Sequence, residues 1–175
     1  ARPFKFFSPQ YSPSWVDYQN QPSCHLAHLF SYAGEPWKTQ YWVRQVKDLT
    51  FGGTDPCSGY NGDDDQGMMG ALGVLMAIGL FDVQGCVGET PDLEITSPLF
   101  DKTVIEFPSV GNLEKTVTFE IIVKRRNAEE DIYIQRATLN GQPWNSFKLP
   151  VAAFFAGGTL QIELGQKPNK KWGIN

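Results

Sequence analysis

Three consecutive aspartates, Asp63, Asp64 and Asp65, form the densest cluster of side chains able to do chemistry in this chain of 175 residues. Carboxylates exchange protons with water, bind hard cations and also cap helices. A helix cap surrounded by solvated charge is the usual role of such a cluster, but one cap needs only one carboxylate. The segment that follows is too apolar for a surface helix, so we expect the three side chains to line a cavity at its end.

A calcium loop of the EF-hand type does not fit this spacing. Counted from Asp63, the glycine falls one position early, at Gly67, and position twelve is Val74 instead of glutamate. Zinc is also disfavoured, because the chain has two histidines, His25 and His28, and no Cys-x-x-Cys pair.

The three cysteines leave one thiol either free or paired outside the chain, because their number is odd. Cys57 and Cys86 lie on either side of the acidic loop and its apolar helix, and they are the favoured pair. Cys24 is then the remaining thiol.

The acidic loop must be positioned by the helices around it. Residues 68–81 are apolar on every side, which predicts a buried helix. Amphipathic helices are predicted before the loop at residues 24–33, closed by Gly34, and at residues 38–49, opened by Pro36. Helices of this kind suit an all-helical packing better than a sheet.

Near residue 90 the hydrophobic period changes from 3.6 to 2, which predicts strands. Asn140-Gly141 is a strong signal for a hairpin turn. A β half after a helical half indicates an α+β chain with two domains, residues 1–90 and 91–175, the second an antiparallel β-sandwich. The predicted strands cover residues 104–107, 116–124, 131–139, 144–149 and 159–164.

Composition restricts the class of partner. The chain is 41% hydrophobic, enough for a core, and its net charge of −4 without a basic run disfavours nucleic acid and anionic membranes. The longest apolar run is too short to cross a bilayer. The start at Ala1 has neither an apolar signal segment nor a methionine, so we expect the middle of a longer protein or a processed end.

A series of short motifs, each weak alone, becomes specific by its order. It resembles the C-terminal part of the glycoside hydrolase family 92 α-mannosidases over nearly the whole chain after Trp15. The matching residues are Asn20-Gln21-Pro22-Ser23, Tyr32-Ala33-Gly34, Trp37-Lys38-Thr39-Gln40, residues 62–69, Ser97-Pro98-Leu99-Phe100, Leu139-Asn140-Gly141, Lys167-Pro168-Asn169 and Trp172-Gly173.

This resemblance implies both an architecture and an activity. The helices would be the last ones of an (α/α)6 barrel, followed by β-sandwich strands. The enzyme would be a calcium-dependent exo-α-mannosidase that removes terminal mannose from glycans with inversion. Such hydrolysis needs a general base to activate water and a general acid to protonate the leaving oxygen.

Site residues are carried over from the family by motif. Asp65 is expected to be the main base and Asp63 its partner, since residues two apart in an extended loop point to the same side, which leaves Asp64 a structural role. Asn20 and Gln21 are expected to bind Ca²⁺, with Gln21 replacing the more common glutamate; capping of the next helix is an equal alternative. His25 is a candidate for contact with the sugar, although a lone helical histidine is more often a packing residue.

The general acid matches no segment here, so we expect it in an N-terminal part of the same enzyme, or in a partner chain. The alternative function is a non-catalytic carbohydrate-binding or structural β-sandwich module, in which Asp63 and Asp65 have no role. A family member that has lost its activity is a third possibility, disfavoured by the intact aspartate pair. The family's habits and the cysteines favour a secreted or periplasmic location.

Overall fold

The computed structural model describes residue 18 and residues 21–54, 64–109 and 111–174. Its helical part consists of a short 3-10 turn, Gln21–Ser23, and of the helices α1, α2 and α3, with a short fourth helix, α4, among the strands. The helices span Leu29–Tyr32 (α1), Pro36–Thr50 (α2), Met68–Ile78 (α3) and Val151–Ala156 (α4).

The first predicted helix, residues 24–33, is regular α-helix only in its last turn. Before α1 the backbone amides bond three residues back, with Cys24 N to Gln21 O at 3.1 Å and His28 N to His25 O at 3.0 Å. This is the 3-10 pattern, which is common where a helix starts. Residues 21–34 therefore form one continuously wound segment that ends at Gly34.

The second helix is longer than expected because Pro36 occupies its first turn, where a missing amide hydrogen costs nothing. Val43 and Val46 are fully buried on one face. Two polar side chains of the same helix reach the strands: Gln40 Oε1 accepts from Ile134 N at 2.9 Å, and Arg44 donates to the carbonyls of Pro98 and Ala128. These contacts hold α2 against the second half of the chain.

The apolar helix α3 is shorter than the predicted segment and is not buried all round. It ends at Ile78 because Gly79 adopts a left-handed backbone, with φ of 80°. One face packs onto α2, but the opposite face leaves Val74 60% exposed and Met68 44% exposed. The prediction of burial on every side is wrong for the described part of the chain, because only one face of α3 meets other elements.

The strands form two sheets. The three-stranded sheet has the order β1-β2-β7 and the five-stranded sheet the order β3-β4-β8-β5-β6. The strands are Leu80–Phe81 (β1), Asp92–Ile95 (β2), Lys102–Ser109 (β3), Asn112–Lys124 (β4), Tyr133–Leu139 (β5), Gln142–Pro143 (β6), Lys148–Pro150 (β7) and Gly158–Gly165 (β8).

The sheets differ from a purely antiparallel arrangement. β4 and β8 pair in parallel, with Ile121 opposite Leu160, whereas all other described pairs are antiparallel. The chain enters β8 from β7 of the other sheet, through α4 and then Gly157 and Gly158, and this route lets β8 run parallel to β4. The hairpin turn is as predicted: Asn140 and Gly141 have φ of 51° and 80°, which a two-residue turn between β5 and β6 requires.

The buried apolar side chains form two hydrophobic clusters, one among the strands and one among the helices. One collects the inner faces of both sheets, and the other packs α2 and α3 around Val43, Met69 and Met76. β1 comes directly after α3 and pairs with β2, so the three-stranded sheet takes strands from both sides of residue 90. The division into residues 1–90 and 91–175 remains a prediction, as do the complete (α/α)6 barrel and the sandwich.

No helix in the described ranges is long and apolar enough to cross a membrane.

Candidate active site

The acidic loop is a strained turn at the start of α3. Asp65, Gln66 and Gly67 have φ of 51°, 61° and 91°, three left-handed residues in succession. For a residue other than glycine this conformation costs on the order of 1–3 kcal/mol, and such strain is concentrated at functional sites. The extended backbone on which the alternation of side chains was predicted therefore does not continue through Asp65.

Asp64 has the structural role expected of it. Its Oδ1 accepts from the amide of Gly70 at 3.3 Å, and its carbonyl accepts from Met69 N at 3.1 Å. A carboxylate at this position satisfies amides that the first turn of the helix leaves without partners.

Asp65 is placed differently from its neighbour. It is half-buried, and its Oδ2 is buried without a hydrogen-bond partner among the described residues. Such an oxygen is costly unless something else binds it. Its charge is felt at Cys24, where burial first and then the carboxylate of Asp65 raise the pKa of the thiol. Asp65 therefore lies near Cys24, a residue of the wound segment 21–34.

The same segment carries two further candidate residues. Gln21 is exposed at its start and His25 is half-buried one turn later, on either side of Cys24. The structure thus brings Asp65 to the stretch of chain that holds Gln21 and His25. Asp63 and Asn20 lie outside the described residues, so their roles remain predictions.

The prediction that Asn20 and Gln21 bind Ca²⁺ concerns the type of ligand atom that these side chains offer. In the described ranges no group of three or more histidine, cysteine or acidic side chains is arranged to hold a metal ion. The side-chain oxygens of Asn20 and Gln21 are neutral hard donors of the type that Ca²⁺ accepts. These donor types are compatible with calcium, and the calcium site remains a prediction.

Of the favoured disulfide pair, Cys86 is an exposed free thiol, and Cys57 lies outside the described residues. A hydrogen bond with Asp82 raises the pKa of the Cys86 thiol to about 11. The thiol therefore stays protonated and weakly nucleophilic near neutral pH. Cys24 is also free, and it is buried.

Sequence reasoning did not assign a role to one buried pair next to this segment. His28 Nδ1 lies 2.5 Å from Glu94 Oε2, and both side chains are fully buried. The available signal was an ionisable residue inside each of two apolar stretches, residues 26–30 and 93–95. A polar residue at a position that faces the core requires a partner.

A strained acidic turn with a partnerless carboxylate, beside a helical segment and a β-rich half, is consistent with a glycoside hydrolase. Residues 5–166 match the glycosyl hydrolase family 92 catalytic domain. The chain belongs to this family.

Relatives of known structure agree with that assignment. An inverting mannosidase of family 92 from Bacteroides thetaiotaomicron VPI-5482 is 34% identical, with a TM-score of 0.74 over 90% of this chain and 20% of its own. A family 92 α-mannosidase from Bacteroides thetaiotaomicron has a TM-score of 0.81 over 99% of this chain and 22% of its own, at 24% identity, which shows the shared fold.

A protein relative extends the comparison to a fungus. An uncharacterised secreted glycosidase of Arthroderma benhamiae is 34% identical over 154 residues, which are 88% of this chain and 19% of that protein. The chain therefore spans about a fifth of the length of the proteins that it matches.

Proposed function

We propose that the protein containing this chain is a calcium-dependent, inverting exo-α-mannosidase that hydrolyses terminal α-linked mannose of glycans. The chain would supply the general base and part of the calcium site, and an N-terminal part of the same enzyme would supply the general acid. The observation that carries this proposal is Asp65, with a buried, partnerless oxygen on a strained turn in a family 92 domain.

Asp65 suits a base because one of its oxygens accepts no hydrogen bond from the other described groups. A base must accept the proton of a water that attacks the sugar, so it needs an ionised oxygen that no protein donor already occupies. In inverting glycosidases the two carboxyl groups lie about 6.5–9.5 Å apart to admit this water. Asp63 would be the partner of Asp65 at the attacking water, and Asp64 is already engaged with α3.

Asn20 and Gln21 would hold part of the calcium ion through their amide oxygens, with His25 beside them to contact the sugar. Calcium, when bound, supplies a positive charge that can orient mannose hydroxyls. The neutral Gln21 would bind the ion less strongly than a glutamate, since it contributes no charge. We also propose secretion, on the basis of the fungal relative named as a secreted glycosidase.

The test compares two neighbouring aspartates in the full-length protein. Asp65→Asn keeps the shape of the side chain but removes the base, so mannose release from α-linked mannobioses should fall by roughly 10²- to 10⁴-fold. Asp64→Asn is the matched control, because an amide oxygen can still accept from Gly70 N. Anomer-resolved NMR should show β-mannose as the first product, and EDTA should abolish release until calcium is restored.

Two outcomes would contradict the proposal. Equal activity of the Asp65→Asn and wild-type proteins would exclude this residue as the base. No release from any linkage by the full-length wild type with calcium, together with sugar binding that Asp65→Asn leaves unchanged, would instead favour the non-catalytic carbohydrate-binding alternative.

A further inference from the structure

His28 makes two close contacts through one ring. Its Nδ1 is 2.5 Å from Glu94 Oε2, and its ring stacks on Phe81 with the centroids 3.8 Å apart and the planes 13° apart. His28 and Glu94 are fully buried, and Phe81 is 9% exposed. A shift of residue 28 by more than about 1 Å away from Glu94 would take the hydrogen bond beyond its normal range of about 2.7–3.2 Å.

These contacts join the two stretches of chain that build the candidate active site. Phe81 and Glu94 are direct cross-strand partners in β1 and β2, so His28 rests on one defined point of the sheet. β1 continues α3 after Gly79, and α3 starts at the turn of Asp65. His28 itself belongs to the wound segment with Gln21 and His25. The pair therefore fixes the segment of Gln21 against the far end of α3, the helix that follows the turn of Asp65.

The same pair is poorly suited to a purely stabilising role. Replacing a buried ionic or hydrogen-bonded pair with apolar side chains of similar size is often neutral or stabilising. Here, in addition, His28 Nε2 and Glu94 Oε1 are buried and have no hydrogen-bond partner in the ranges that the structure describes. Apolar residues would avoid both costs, whereas a directional hydrogen bond fixes position.

We propose that His28 and Glu94 are a positioning pair for the mannosidase site, which sets the segment of Gln21 and His25 against Asp65 without touching the substrate. The proposal rests on the proposed function, because the site that is positioned is the mannosidase site. Positioning groups of this kind typically change activity by about 10- to 100-fold, since small misplacements of reacting groups are costly.

The test uses four variants of the full-length protein. His28→Phe and Glu94→Leu each leave one buried polar partner alone, and we expect lower thermal stability and a fall in kcat of about 10- to 100-fold that exceeds the change in KM. The double variant His28→Phe/Glu94→Leu should regain thermal stability but not kcat. His28→Asn, which keeps a donor for Glu94, should regain part of kcat.

Arg44→Met is the matched control. Arg44 is also buried, joins a helix to the strand region and has a partnerless Nε among the described residues, but it contacts the carbonyls of Pro98 and Ala128. It should lower thermal stability and leave kcat unchanged. Recovery of wild-type kcat in the double apolar variant would overturn the proposal, because the pair would then act through stability alone.

Hydrogen exchange keeps this result distinct from a failure of the proposed function. In the double variant, amides of residues 21–31 should exchange faster than in the wild type at equal thermal stability. Faster exchange would support the positioning pair even if the wild type released no mannose, an outcome that would contradict only the mannosidase. Unchanged exchange would overturn the pair whatever the activity.

Discussion

The helical segments around the acidic loop and the five-stranded sheet satisfy their polar groups very differently. Among the described residues outside the five-stranded sheet, buried atoms without hydrogen-bond partners occur on Asp65 in the acidic loop, on the pair His28 and Glu94 beyond the end of α3, on Gln40, Arg44 and Thr50 of α2, and on Thr96 and Ser97 after β2. In the strands of the five-stranded sheet, the corresponding group is the hydroxyl of Thr103. Unsatisfied buried groups are rare in native proteins, and each one requires a reason.

Backbone strain follows the same division. Asp65, Gln66 and Cys86 adopt left-handed conformations outside any hairpin of the described residues, whereas Asn140 in the sheet does so within a hairpin that requires it. Among the described residues, backbone strain and an unsatisfied buried oxygen thus coincide at Asp65, the proposed catalytic base. The five-stranded sheet, with a fully buried core of Phe119, Leu160 and Ile162, is the more regular scaffold. Departures from local conformational preference and from hydrogen-bond satisfaction are expected mainly at functional sites, and Asp65 shows both.

The largest effect should separate activity from stability at Asp65. If its partnerless oxygen exists for proton transfer, Asp65→Asn should lower kcat by roughly 10²- to 10⁴-fold and leave the melting temperature equal or higher. Calorimetry and mannose release on the same preparation measure both quantities. A large loss of thermal stability would show that the carboxylate holds the turn together, and the contrast between the two regions would then lose its functional meaning.

The opposite combination is expected in the sheet. Leu160 is fully buried in β8, so Leu160→Ala should lower the free energy of unfolding by about 2–5 kcal/mol through lost contacts and a cavity. The kcat of the folded enzyme should not change. Leu113→Ala is the control, since Leu113 is 83% exposed and its truncation should change stability by less than about 0.5 kcal/mol. A fall in kcat for Leu160→Ala would show that the sheet also shapes the site.

Two glycines with similar backbones test the junction between the regions. Gly79, between α3 and β1, has φ of 80°, and an added Cβ would meet Pro98 Cγ at 2.5 Å. Gly111 has φ of 85°, with nothing within 4 Å of such an atom. Gly111→Ala should therefore cost about 1–2 kcal/mol from backbone strain alone, and Gly79→Ala more, since Pro98 must also move. Equal melting temperatures of the two variants would contradict this difference.

The sequence predicted the regular elements well where a period or a turn signal was strong. The Asn140-Gly141 hairpin, helix α2 and strands β3, β4, β5 and β8 follow from local patterns that also hold in the structure. β1 and β2 did not, because strands of two and four residues are too short to show a period. The parallel pairing of β4 with β8 is a long-range choice that no local pattern contains.

The site was predictable only in part. The aspartate run and the family motifs predict Asp65 as the base, a role that remains a prediction, and Asp64 has the structural role expected of it. The left-handed turn was not foreseen, because the acidic loop was assumed to be extended. The His28–Glu94 pair was missed because its members are 66 residues apart, and only the pairing of β1 with β2 places Glu94 under the first helical segment. Local rules cannot specify such a contact.

The smallest effect is expected for an ion pair on the surface of the sheet. Arg136 Nε lies 2.6 Å from Glu163 Oε2 between β5 and β8, with the side chains 76% and 38% exposed. Water and salt screen such a pair, so Arg136→Ala should change the free energy of unfolding by less than about 1 kcal/mol, and the change should shrink further at high salt. Melting curves at low and high ionic strength measure this. In Arg44→Met the lost guanidinium is one that is buried against backbone carbonyls. If Arg136→Ala lowered the free energy of unfolding as much as Arg44→Met, charged groups on the sheet surface would contribute as much stability as those at the helical interface. The contrast between the two regions would then not extend to their charges.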